Sequence, residues 1–421
     1  MSKRNLLLLF LLLCPFAGAR SADDVPKLYF KSIGIQQGLS HQMVNAIVKD
    51  PQGFIWIGTA EGLNRYDGTE FHVYRHEPGN PCSLSTSWIN CLYITRDGRL
   101  FIGTEKGVNV YNTQKENFER ISAENDSRNL LGNLRIRCFC EDSKGYLWIG
   151  TLDGLIRFDR RNGLINFYKL NHYDRDKMHN EVRSLCEDSA GRLWIGTFDG
   201  LYCRETESGV FKSVPLKKAP AEGNCLISGL HIQQEDPHTL YIAATGGLRV
   251  FDTETGGERH YHTANSGIAS NDVRDVTRYD AKHVLAATSS GLSVFDIPSG
   301  GFTNFANSIT DPVSLPTQIV RCLFQDDNGL VWLGTNYGVA CCNSHRRPID
   351  VHYINDTDAE GHTTRETITD IAVLPGEIWI GTNNGLMCYS PDMRLKRHFT
   401  TKNSLLPHNN IKRILLSLIH I

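Results

Sequence analysis

Beyond its first twenty residues the chain has no apolar run long enough to cross a bilayer. It has no excess of charge of either sign: 44 basic and 46 acidic residues give a formal net charge of −2. That balance excludes the basic footprint of a nucleic-acid binder and the charged, apolar-poor composition of a disordered chain. No CxxC pair, phosphate-cradling glycine loop or nucleophile elbow occurs, so the usual signatures of metal, nucleotide and acyl-transfer sites are missing. No cofactor and no metal site are expected. Sustained helical periodicity is missing too.

Twelve cysteines are present, but their positions argue against a disulfide framework. Cys91, Cys138 and Cys322 share one position of an internal repeat, and Cys140 and Cys186 share another. Recurrence at equivalent strand sites fits small buried apolar side chains. At the N-terminus, Lys3 and Arg4 precede the apolar run Leu6 to Leu13, and Ala17-Gly18-Ala19 follows. This is the layout of a signal peptide over residues 1–19, cleaved after Ala19, which directs the mature chain out of the cytoplasm.

The repeat sets the fold. Phe54-Ile-Trp-Ile-Gly-Thr59 returns as Leu147 to Thr151, Leu193 to Thr197 and Ile378 to Thr382, with Val331 to Thr335 and Leu100 to Thr104 as conservative copies. Leu240 to Thr245 and Val284 to Thr288 are degenerate copies. The closing threonines 59, 104, 151, 197, 245, 288, 335 and 382 step by roughly 43 to 48 residues, the length of a four-stranded propeller blade. Each unit reads as a short strand, an Asp-x-x-Gly turn, the Trp-bearing strand, a Thr-x-x-Gly hairpin and two more strands. Asp leading and Gly closing suit a type I turn. The expected fold is an all-β propeller of four-stranded blades, seven of them spanning residues 27–350. Leu28 to Ile33 would supply the outer strand of the last blade. An eight-bladed ring is the alternative.

Gly38-Leu39-Ser40, Trp56 to Thr59 and Gly62-Leu63-Asn-Arg-Tyr-Asp67-Gly68 resemble the two-component regulator propeller repeat. The resemblance runs from about residue 28 to 415. It implies the periplasmic sensor region of a hybrid two-component system, in which two propellers, an immunoglobulin-like domain and one membrane helix precede a cytoplasmic histidine kinase. On that basis residues 351–415 open a second, incomplete propeller, and residues 416–421 read as a non-native tail on a fragment. The kinase belongs to the parent protein, and the membrane is met only through its missing C-terminal segment. The implied ligand is an oligosaccharide, with pairing of receptors into a homodimer. The alternatives are a secreted propeller that only binds a glycan or protein partner, and a propeller lyase or sialidase. For this chain no catalytic set stands out, and the expectation is a binding module that is not an enzyme and binds no nucleic acid.

Trp56, Trp148, Trp194, Trp332 and Trp379 share one repeat position and are expected to fill the space between neighbouring blades. Trp88 lies outside the motif and is a candidate stacking platform for a sugar ring. Aligning the residue near the start of each first strand gives Asn45, Asn90, Arg137, Arg183, Ser228, Arg274 and Arg321. First strands line a propeller's channel, so these side chains should gather at one mouth. The candidate ligand-binding set is Arg137, Arg183, Arg274, Arg321, Asn45, Asn90 and Trp88. Four guanidinium groups there suit carboxylate or sulfate, which their planar fork grips in bidentate fashion. Against this stands local pairing, for instance with Asp275 or Glu181.

Overall fold

The computed structural model describes residues 28–170, 180–205, 209–217, 225–233, 235–311, 313–343, 354–357 and 363–415. The expected signal segment and the residues 416–421 lie outside them. The chain divides into two compact units, residues 1–346 and 347–421.

The first unit holds seven four-stranded antiparallel sheets, here blades 1 to 7. Their innermost strands are Val44–Lys49, Ile89–Ile94, Ile136–Glu141, Val182–Glu187, Ile227–Ile232, Val273–Arg278 and Val320–Gln325. Each innermost strand neighbours the next, and the seventh returns to the first. Blade 7 draws its outer strand from the other end of the unit. Lys31–Ile33 pairs antiparallel with Gly338–Asn343 in the register Ser32 opposite Ala340. Helix is scarce among the described residues, with an α-helical turn at Leu130–Asn133 and a 3-10 turn at Ile35–Gln37. The second unit contains one four-stranded sheet, from Ile368–Leu374 to Leu395–Phe399, and a two-stranded ribbon.

The repeated motif explains the stacking. The second strand of blade 1, Ile55–Thr59, is buried at every residue, as are its counterparts Leu147–Thr151 and Leu193–Thr197. Trp56 clusters with Leu84, Ile89 and Leu100 of blade 2, and Trp148 with Val182 and Leu193 of blade 4. Trp194 meets Ile227 and Leu240 of blade 5, and Trp332 meets Ile47 and Ile55 of blade 1. These tryptophans pack between blades, each worth ~1.5–3 kcal/mol of burial. Their polar edge is satisfied by the preceding turn. The indole N–H of Trp56 donates to Asp50 at 2.7 Å, that of Trp148 to Asp142 at 2.7 Å and that of Trp194 to Asp188 at 2.8 Å. The same carboxylates accept backbone N–H groups of their own turns, as Asp142 does from Lys144 and Tyr146. In blade 7 the bond is absent: the Trp332 indole nitrogen is buried without a partner, while Asp326 faces Lys49 Nζ at 3.4 Å.

The motif's glycine serves a close approach. A Cβ on Gly150 would lie 2.4 Å from Cys138 Sγ and 2.8 Å from a methyl of Val182 in the next blade. Gly103 and Gly334 face Cys91 and Cys322 in the same way. Blade 5 reverses the assignment, with Ala243 on the second strand opposite Gly229 on the first. The motif's threonine closes the hairpin: the hydroxyls of Thr59, Thr151 and Thr335 donate to the carbonyls of Gly62, Gly154 and Gly338 at 2.8–2.9 Å. Cys91, Cys138, Cys140, Cys186 and Cys322 are free thiols, as are the other cysteines described. Burial pushes the Cys186 and Cys322 thiols up to about 12.

Candidate functional site

All seven blades carry the same irregularity. In blade 1, Val44 pairs with Thr59 and Ala46 with Gly58, so Asn45 has no partner in the ladder. The register slips at the corresponding place around Asn90, Arg137, Arg183, Ser228, Arg274 and Arg321. Each is an extra residue in a β-bulge, a device that bends the strand and re-aims a side chain. The seven bulge residues line one cavity of about 740 Å³ at the mouth of the channel. Trp88 lines it as well, so every residue named from the repeat alignment is brought to one place.

Five further residues complete the lining: Glu105, Arg135, Leu226, Thr245 and Asp272. The sequence contained a signal for most of them. Trp88, Arg135, Leu226 and Asp272 each stand two positions before a bulge residue, and Glu181 holds the same position in blade 4. The backbone carbonyl at that position accepts from the residue after the motif threonine, as Trp88 does from Glu105 and Arg135 from Leu152. A second tier of side chains is thereby fixed above the bulges.

Local pairing accounts for part of the charge. Arg137 Nε lies 2.7 Å from Glu181, Arg274 binds Asp272 at 2.9 and 3.1 Å, and Arg135 pairs with Glu105. Among the described residues Asp275 pairs with no arginine. Its carboxylate accepts the Val276 N–H at 2.9 Å and, across to blade 7, the Leu323 N–H at 2.8 Å. Burial pushes this carboxyl up to about 6. Arg183 lies 4.0 Å from the Glu181 oxygen that Arg137 already holds, and Arg321 donates to the Asn336 amide oxygen at 3.3 Å. Burial lowers the pKa of both, and the charge of Arg137 lowers Arg183 further, as those of Arg274 and Arg183 lower Arg321. Trp88 is 40 % exposed, and its indole N–H donates to Asn90 Oδ1 at 3.0 Å. Asn90 Nδ2 and Asn45 Oδ1 are buried without a protein partner. The mouth is thus a polar, positively charged basin with an exposed aromatic face and spare amide atoms. No cluster of metal-ligating side chains occurs among the described residues.

The sequence model described as "Two component regulator propeller" matches residues 38–61, 83–106, 129–153, 176–199 and 314–337. Two extracellular domains assigned to hybrid two component systems of B. thetaiotaomicron share the fold. One superposes with a TM-score of 0.64 at 22% identity, covering 92% of this chain and 50% of its own. The other gives 0.62 at 19% identity, with 91% and 62% covered. Histidine kinase P4 of Formosa agariphila is 34% identical over 82 residues, 20% of this chain. The chain spans about half the length of the first of these structures and 6% of that kinase. It therefore carries the two component regulator propeller repeat in five matched copies, on the fold those extracellular domains share.

Proposed function

We propose that this chain is the periplasmic sensing region of a two-component receptor, that it recognises an oligosaccharide at the channel mouth, and that in the longer protein it governs a histidine kinase across the membrane. The observation that carries the reading is the convergence of seven bulge residues and Trp88 on one cavity of about 740 Å³, large enough for a sugar of two or three rings. A rigid ring that aims variable side chains inward from every blade is a recognition surface. Its matched repeats and its fold neighbours support the signalling context. The chain acts by binding, and turnover is not part of this role. Ligand must favour one arrangement of paired receptors over another for a signal to pass, because equal affinity shifts nothing.

Isothermal titration of the chain against neutral and acidic oligosaccharides tests the reading. Binding of at least one, weakened by Trp88→Ala, is the expected result. Binding that survives Trp88→Ala and mutation of the bulge residues unchanged would place recognition elsewhere.

A further inference from the structure

Among the described residues, three carboxylates and five guanidinium groups meet at the channel mouth, and they do not cancel. Glu105, Glu181 and Asp272 take Arg135, Arg137 and Arg274. Among the described residues Arg183 and Arg321 are left without a carboxylate of their own, Arg321 with a buried Nε that has no partner there. Neither can lose its charge to relieve the crowding, since a guanidinium stays protonated in proteins. Both sit on bulges and line the same cavity. A fold under no demand at this spot would place neutral side chains there, as it does with Ser228 in blade 5.

On the reading that the cavity takes a sugar, we infer that the sugar is acidic: a carboxylate or sulfate ester is held between Arg183 and Arg321, which reach into the cavity from blades 4 and 7. Guanidinium groups donate to an anion in a bidentate geometry, and the setting is partly withdrawn from water, where charge-assisted bonds are strong. Asn45 and Asn90 supply an acceptor and a donor for ring hydroxyls on the Trp88 side. Uronic-acid oligomers and sulfated sugars both present this chemistry, and the bound group decides between them in the test.

The probes are trigalacturonate, its neutral methyl ester, a sulfated disaccharide and sodium sulfate, titrated calorimetrically into the chain at two salt concentrations. An acidic oligosaccharide is expected to bind about ten- to a hundredfold tighter than the methyl ester, from one or two charged hydrogen-bond partners. Affinity should fall as salt rises. Arg183→Met and Arg321→Met should each remove that margin while keeping the melting temperature at or above the wild-type value, because each relieves repulsion and keeps an apolar stem. Arg321→Lys should restore only part of it, lacking the fork. Sodium sulfate should raise the melting temperature of wild type more than that of either Met variant.

The methyl ester binding as tightly as the acid would overturn the acidic assignment while leaving sugar recognition standing. Wild type and the two Met variants responding equally to every acidic probe and to sulfate would overturn it too. Sulfate binding that depends on both arginines, together with no response of any sugar to Trp88→Ala, would keep the anion site and remove the sugar reading beneath it.

Discussion

Gly334→Ala provides the sharpest test of how the blades interlock. An added Cβ would sit 2.4 Å from Cys322 Sγ on the same blade and 2.8 Å from a Val44 methyl on blade 1, at the contact that closes the ring. Ordinary carbon contacts lie at about 3.5–4.0 Å, so one neighbour must move by roughly 1 Å. Both are fixed in ladders, and overpacking of this kind costs about 1–3 kcal/mol. Replacing glycine by alanine in a strand returns about 0.5–1 kcal/mol of backbone entropy, too little to reverse the sign. Gly334→Ala should therefore destabilise the ring by about 1–2 kcal/mol. Cys322→Gly should also destabilise it, by emptying space and loosening the inner strand. Combined, the two substitutions recreate the arrangement found in blade 5, where Ala243 faces Gly229 and packs near Val273 of the next blade. The double variant should then be more stable than the sum predicts by about 1–2 kcal/mol. Urea unfolding followed by tryptophan fluorescence gives the four stabilities of the cycle. Additivity within about 0.5 kcal/mol, the limit for independent sites, would refute the idea that this glycine exists for the close approach.

Other outcomes follow from the same geometry. Trp148→Phe should cost about 1–2 kcal/mol more than Trp332→Phe, because only the former strands a buried carboxylate oxygen, that of Asp142; equal costs in urea unfolding would contradict it. Glu258→Ala should destabilise by about 1.5–3 kcal/mol by removing one charged partner, 2.5 Å away, of the fully buried Arg249 guanidinium, which also donates to the Lys217 carbonyl; a calorimetric melt that shifts by less than a degree would refute this. The Asp275 carboxyl is raised to about 6 in the folded state, above its unfolded value near 3.8. The fold thus favours its protonated form, and its contribution to stability is full below pH 3.8 and lost as pH rises through 6. Relative to Asp275→Asn, wild type should lose up to about 3 kcal/mol between pH 4 and 7, and parallel curves for the two proteins over that window would show the group to be unshifted.

The propeller was legible because its signal is redundant. One motif, Trp-Ile-Gly-Thr, combines an inter-blade filler, a close-approach glycine and a hairpin-closing hydroxyl, and it recurs often enough to give period and strand order together. Equivalence by repeat also led to the mouth residues, since side chains at one register position in successive blades must lie on one circle. What the sequence did not disclose is why that position faces the channel. The bulge depends on pairing between Val44 and Thr59 and between Ala46 and Gly58, which no single strand records. The arginines' partners were equally hidden. Asp275, adjacent in sequence to Arg274, turns away to bind Leu323, whereas Asp272, two residues before it, accepts the guanidinium. Alternation along a strand makes neighbours diverge and second neighbours meet, and a bulge shifts that parity locally. The tier formed by Trp88, Arg135 and Asp272 was visible as an alignment column, but only its tryptophan looked unusual.

A residue that belongs to no ladder pair can be exchanged without disturbing the hydrogen bonds that hold its sheet. Because every blade donates one such residue to the same basin, selection for what is recognised and selection for a closed ring act on separate columns of the repeat. Guanidinium, amide and hydroxyl groups already share this one circle on a repeated frame. New specificities are therefore open to this scaffold by single substitutions, one blade at a time, with the interlocking glycines, tryptophans and threonines left untouched.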